Sequence, residues 1–156
     1  MPAGFSDVIL PDYHFLAEIE NILKASECRY ESLDGTTGFK IRQRDYFNLW
    51  VMWEKNDVAL IFLGKMMYDP PPNTLEALFH NINKVNSRIL EGKFLVIHDH
   101  LAFLFGIDVK DVFITRTAIF NWINLPINML DTYAEDLFGP DFAAYSENFG
   151  RGSILT

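Results

Sequence analysis

Cysteine occurs once, at position 28, so no intrachain disulfide can form and no C-x-x-C or multi-thiolate metal pattern is open to the chain. A reactive thiolate needs a lowered pKa; Ser26, Glu27 and Glu31 push the other way, with Arg29 as the counterweight, so Cys28 reads as a small part-buried side chain. Positive charge is scarce: 13 Lys and Arg stand against 21 Asp and Glu, a net charge of −8 with a pI near 4.8. That balance excludes nucleic acid and anionic membrane as partners, because both need a basic footprint. Long hydrophobic runs are missing too: apolar stretches break within about eight residues, against the ~20 that a membrane span needs. With no basic segment leading into an apolar stretch at the N-terminus, the expectation is a cytoplasmic protein without a signal peptide. Phosphate loop, dinucleotide glycine fingerprint, H-E-x-x-H and nucleophile elbow are all lacking. No catalytic residue, metal or cofactor is nominated.

What the chain does have is organised around residues 73–105. Leu75, Leu78, Phe79, Ile82, Val85, Ile89 and Leu90 recur at three- and four-residue steps, one side of a helix. Asn73 with Glu76 makes a capping box, and Gly92 supplies a left-handed stop. Two apolar runs follow, 93–98 and 101–107, separated by a gap that fits a hairpin and is too short for a parallel crossover. The class is therefore α+β. Upstream, Pro11 and Asp12 open a helix with Phe15, Leu16, Ile19, Ile22 and Leu23 on one stripe, fading near Ser26. Strands are expected at 39–43, 47–53 and 58–63, and Pro70, Pro71 and Pro72 form a stiff connector. Thr115 reads as the N-cap of a third helix whose stripe runs from Ile119 to Phe138, with a kink or break at Pro126 and a stop at Gly139-Pro140. The predicted order is α-β-β-β-α-β-β-α: five antiparallel strands and three helices in one domain, with a core over about 12–138 and irregular ends at 1–10 and 139–156.

Phasing the strands by their polar ends puts Phe39, Ile41, Phe47, Leu49, Val51, Val58, Leu60, Phe62, Phe94, Val96, Phe103 and Phe105 on one face, which belongs against the helices. The opposite face carries Lys40, Arg42 and Asn48, but also Trp50, Met52, Ile61, Leu63, Leu95, Ile97 and Leu104. Each such side chain is worth roughly 1.5–3 kcal/mol when buried, and so large a group is more than a monomer usually exposes. The third helix and the tail, a second subunit, or a client chain must cover it. Fourteen Phe, six Tyr and three Trp strengthen that expectation, since aromatics beyond the needs of a core collect at interfaces.

Other polar groups have plainer readings. His98 and His100 have an H-x-H spacing that zinc or copper could use, but two ligands do not make a site, and His14 and His80 fall in helices. Glu18 with Glu20, and Glu135 with Asp136, are solvated helix-surface carboxylates. Asn83 and Asn86 sit in adjacent helical turns despite weak propensity, which points to side-chain hydrogen bonds with a sheet edge or loop backbone.

The strand 47–51 (Phe-Asn-Leu-Trp-Val) and the passage Asn83-x-x-Asn86 through Gly92-Lys93-Phe94 resemble the YbjN-domain family, described as candidate bacterial sensory transduction regulators. The resemblance spans about residues 12–138 and implies a fold like that of type III secretion chaperones, small acidic proteins, commonly dimeric, that hold client chains without ATP. It carries over no catalytic residue. The resulting expectation is a non-enzymatic, chaperone-like or regulatory module, a homodimer or the holder of a polypeptide client, binding through Trp50, Met52, Ile61, Leu63, Leu95 and Ile97 and an open strand edge. The alternative is a ligand carrier or small enzyme with a pocket between helices and sheet near His80, His98 or Asn83. A structural subunit of a larger complex is a third reading.

Overall fold

The computed structural model describes residues 15–33, 38–54, 59–67, 75–108 and 114–139. In chain order these form α1 (Phe15–Ala25), β1 (Arg29–Ser32), β2 (Gly38–Arg44), β3 (Phe47–Glu54), β4 (Ala59–Met66), α2 (Leu75–Asn86), β5 (Lys93–Ile97), β6 (His100–Asp108) and α3 (Arg116–Phe138). All neighbouring strands run antiparallel, in the order β1-β2-β3-β4-β6-β5. The α+β class and the three helices are as expected, but the sheet has six strands, not five. The added strand is β1, Arg-Tyr-Glu-Ser, whose residues are exposed except for half-buried Tyr30. It pairs as an edge through its backbone and has no apolar alternation to announce it.

Elsewhere the period-2 pattern holds except at Asn48 of β3 and Ala102 of β6, outer-face positions that are buried as well. Along β4, half-buried and buried residues alternate from Ala59 to Met66. Phe39, Ile41, Leu49, Val51, Leu60, Phe62, Phe94, Phe103 and Phe105 are all buried. Phe62 stacks on Phe105 with ring centroids 4.7 Å apart, and Phe94 meets Phe103 edge-on at 4.9 Å. Much of the aromatic content therefore fills the core rather than waiting at an interface.

The helices cover this inner face. α1 buries Phe15, Ile19, Ile22 and Leu23, and Phe15 packs edge-on against Trp53 of β3. It ends in a Schellman motif: Cys28 N–H donates to Leu23 and Glu27 N–H to Lys24, with Glu27 at φ 55°. α2 buries only Leu78, Ile82 and Val85. The expected stripe is narrower than the spacing implied, because the helix stops at Asn86; Ile89 and Leu90 fall beyond it, Leu90 is fully exposed and Phe79 is 49% exposed. Thr115 caps α3 by accepting from the Ala118 N–H at 3.1 Å, and the Gly139 N–H donates to Glu135 at its end. The predicted starts at Pro11 and Asn73, the proline connector, Val58 and the tail beyond Gly139 lie outside the described residues.

Pro126 does not break α3, which runs unbroken from Arg116 to Phe138. Its ring is buried against the sheet, over Gly64 of β4. A Cβ at Gly64 would run into the Phe47 ring and come within 2.7 Å of Pro126, so the missing side chain is what lets the helix approach. Trp122 and Tyr133 of α3 then reach Phe62 and Phe94 on either side. Replacing Gly64 by Ala should cost about 1–3 kcal/mol through overpacking, read as a lower urea midpoint with an unchanged slope. A neutral Gly64→Ala would show that the helix and strand are not in close contact.

Candidate functional site

The six proposed binding residues all lie on the outer face of the sheet and are half-buried there. The pairing brings most of them together. Trp50 is opposite Leu63, which is opposite Leu104, and Met52 is opposite Ile61 in the next row. Leu95 faces Ala102 and lies diagonally beside Leu104. Ile97 stands apart at the hairpin end of β5, opposite His100. The third helix does not cover this strip, since it packs with Phe62 and Gly64 on the other face.

Charge is arranged around the strip in a way the net value hides. Lys40, directly across from Trp50, places its Nζ 5.7 Å from the indole centre, and Lys65 places its own at 5.5 Å. Lys93 closes the row beyond Leu104. Lysines thus stand at one end of the apolar strip, Lys40 paired with Glu31 at 3.9 Å, while Glu54 and Asp108 close the other end.

The edges differ. β1 is short and polar. At β5 the free backbone is occupied: Asn86 Nδ2 donates to the Phe94 carbonyl at 2.9 Å, while the Phe94 N–H donates to Asn86 Oδ1 at 2.8 Å. One side-chain amide thus mimics a neighbouring strand at that residue. The expected bond from an asparagine to the sheet edge is present; Asn81 instead donates to the Leu137 carbonyl in the last turn of α3, and Asn83 is exposed. The strand edge expected to take a partner is narrower on this side than the sequence implied.

The remaining candidates separate. His98 lies with Asp99 in the β5–β6 turn, both at positive φ (50° and 65°), so the H-x-H pair is split between a turn and β6. Among the described residues no group of three His, Cys, Asp or Glu side chains is placed to hold a metal. His80, His98 and Asn83 are all exposed. Glu18 is not merely solvated: Arg116 grips it with two bonds, at 2.7 and 3.2 Å, and ties α1 to α3. Glu20 accepts from the Tyr30 hydroxyl at 3.3 Å.

A cleft that sequence spacing did not reveal lies where α1 ends, β1 begins, β2 ends and α3 passes. Arg29, Arg42 and Arg44 line it, in an open volume of about 630 Å³. Arg44 is committed to Asp131 by two bonds, at 2.8 and 2.7 Å, which hold its guanidinium more firmly charged. Cys28 sits in the wall, and burial pushes its thiol up from the ordinary value. The signal was dispersed: these groups are brought together by strand pairing and by a bulge between Arg42 and Arg44.

The crystal structure of YbjN from E. coli, described as a candidate transcription regulator, matches this architecture with a TM-score of 0.61, over 90% of this chain and 96% of that one, at 12% identity. The fold is YbjN-like. No family model matches the sequence, and no curated protein matches it. Within this YbjN-like fold the passage that carried the resemblance has a mechanical role here: Asn86 clamps Phe94, and Gly92, at φ 72°, sits where a Cβ would press into the Phe103 ring. No described helix is long and apolar enough to cross a membrane.

Two outcomes follow. Asn86→Ala leaves both Phe94 groups without their partner and should cost about 1–3 kcal/mol in a denaturant titration, with faster amide exchange at Phe94. Unchanged exchange there would contradict the clamp. Because the Cys28 pKa is raised, less thiolate exists at a given pH, so its alkylation rate should rise at higher pH than for the same residue in the unfolded chain. A curve displaced to lower pH would contradict the burial argument.

Proposed function

We propose that the protein is a non-enzymatic, chaperone-like or regulatory module that takes a polypeptide on the outer face of its sheet, a second copy of the chain being the first such polypeptide to test. The observation that supports this most is the one-sidedness of the fold: α1, α2 and α3 gather on the inner face, while Trp50, Met52, Ile61, Leu63 and Leu104 form a contiguous strip on the other. Burying that strip contributes roughly 1.5–3 kcal/mol per large side chain, and Trp is the residue type most often found at interface hot spots. Lys65 and Lys93 at one end of the strip and Glu54 and Asp108 at the other fit a segment with apolar anchors and charges of opposite sign at its two ends. Likeness to a candidate transcription regulator agrees with a binding role rather than an enzymatic one. The half-buried lone thiol of Cys28 agrees with a reducing, cytoplasmic setting.

Light scattering on the wild type and on Trp50→Asp tests the reading. A dimer that Trp50→Asp weakens about ten-fold or more is the expected result, with a parallel loss of any co-purifying client. A dimer and client binding both indifferent to Trp50→Asp, or a monomer whose own chain covers Trp50, contradicts it.

A further inference from the structure

The outer face has a polarity along its strands that the apolar strip alone does not show. Strand pairing sets its side chains in successive rows. The first holds Glu54, Ala59 and Asp108, and the second Gly38, Met52, Ile61 and Gly106. The third holds Lys40, Trp50, Leu63, Leu104 and Lys93, and the fourth Arg42, Asn48, Lys65, Ala102 and Leu95. Carboxylates thus occupy the first row and cations the fourth, with the apolar rows between them. Rows on one face are about 7 Å apart, so the two charged ends are separated by roughly 20 Å, about two Debye lengths in ordinary salt. Each end therefore acts separately on whatever docks. Lys40 is taken by Glu31, whereas Lys65, over the Trp50 ring, is in no ion pair among the described residues.

Gly106 adds an independent observation. It is exposed on this face, its φ is not left-handed, and among the described residues a Cβ there would approach only the Leu60 carbonyl, at 3.7 Å, an ordinary contact. Neither backbone strain nor crowding by those residues calls for glycine, which weakens a strand and often marks a close approach by another group. It leaves a hollow beside Ile61, its partner across the ladder.

We propose that the outer face takes a second copy of this chain, sheet against sheet and turned end for end, so that Lys65 of each copy comes between Glu54 and Asp108 of the other. This rests on the outer-face reading above and specifies the partner and its orientation. Two identical sheets packed face to face are related by a two-fold axis lying between them, and the interface is the same patch used twice. With that axis across the strands, between the second and third rows, the third row of one copy lies on the second row of the other, and the fourth on the first. Trp50 and Leu63 then cover Met52 and Ile61, Leu104 enters the hollow at Gly106, and Lys65 stands over Ala59 with a carboxylate on either side. With the axis along the strands, cations would meet cations and carboxylates would meet carboxylates, which repels. Sheet twist rotates the two sets of strands by about 30°, a shift of roughly one strand at the charged rows, which keeps Lys65 on one carboxylate or the other.

Sedimentation equilibrium on Lys65→Glu and Glu54→Lys, singly and mixed, tests the arrangement. Each variant alone should dimerise at least about ten-fold more weakly than the wild type, because symmetry repeats the like-charge contact. Mixed in equal amounts, the two should form a one-to-one heterodimer within about three-fold of wild-type affinity, since both contacts are then complementary again. Gly106→Leu, which fills the hollow, should keep or raise the urea midpoint of the monomer while weakening the dimer about ten-fold or more. No recovery on mixing would overturn the proposal, as would a Gly106→Leu dimer as tight as the wild type. So would Lys65→Glu pairing better with the wild type than the wild type does with itself, the mark of the other axis. If Trp50→Asp still dissociates the dimer in any of those cases, the outer-face reading stands and the orientation alone fails. A wild type that stays monomeric at roughly 100 μM overturns the second copy as the partner and leaves the outer-face reading to its client test.

Discussion

Pro126 rests on Gly64, and that close approach holds the long helix α3 flat across the middle strands. A proline inside a helix gives up one backbone bond, a loss that is offset here by burying the ring in the gap a glycine leaves. α1 is tied to α3 through the Glu18–Arg116 pair, and α2 through the bond from Asn81 to Leu137. The helices thus act as one layer fastened to one face. Because the strands alternate, the same sequence that feeds Leu49, Val51, Leu60 and Phe62 to that layer delivers Trp50, Met52, Ile61 and Leu63 to the other side. Which side each residue faces is a geometric consequence of this layering; the apolar character of the outer positions is not, since the second face of an antiparallel sheet is commonly polar.

Net charge is a poor guide to what this molecule attracts. A value of −8 describes the chain as a whole, yet lysines stand at one end of the outer strip and arginines line the cleft. Binding is governed by charge within about a Debye length of the contact, and distant acidic groups are largely screened. Local cationic environments can coexist with a net acidic chain.

Legibility in the sequence followed the strength of the periodic signal. Strands buried on one face can be phased residue by residue, so the pattern alone puts Trp50 and Leu49 on opposite sides. The cap at Thr115 and the stop at Gly139 rest on local chemistry and were readable for that reason. β1 was not, because an edge strand made of Arg29, Tyr30, Glu31 and Ser32 forms by backbone pairing alone. The end of α1 used Glu27 in the left-handed conformation where glycine is the usual signal. Of the candidate sites, the outer strip was legible as a face but the lysines at its end were not, since Lys40 and Lys65 meet over Trp50 only after three strands align. The cleft was hidden altogether: Arg29, Arg42 and Arg44 line it through a register and a bulge, neither of which has a periodic signature.

The claim on which the functional account rests is that the outer face is left open by the chain that makes it. Hydroxyl-radical footprinting of the dilute protein, followed residue by residue by mass spectrometry, addresses that directly. The account predicts rapid oxidation of Trp50 and Met52 at concentrations where the protein is alone, falling as protein or partner is added, while buried Met66 stays protected throughout. Protection of Trp50 and Met52 equal to that of Met66 in the dilute protein would mean that the chain covers its own outer face, and would contradict the account.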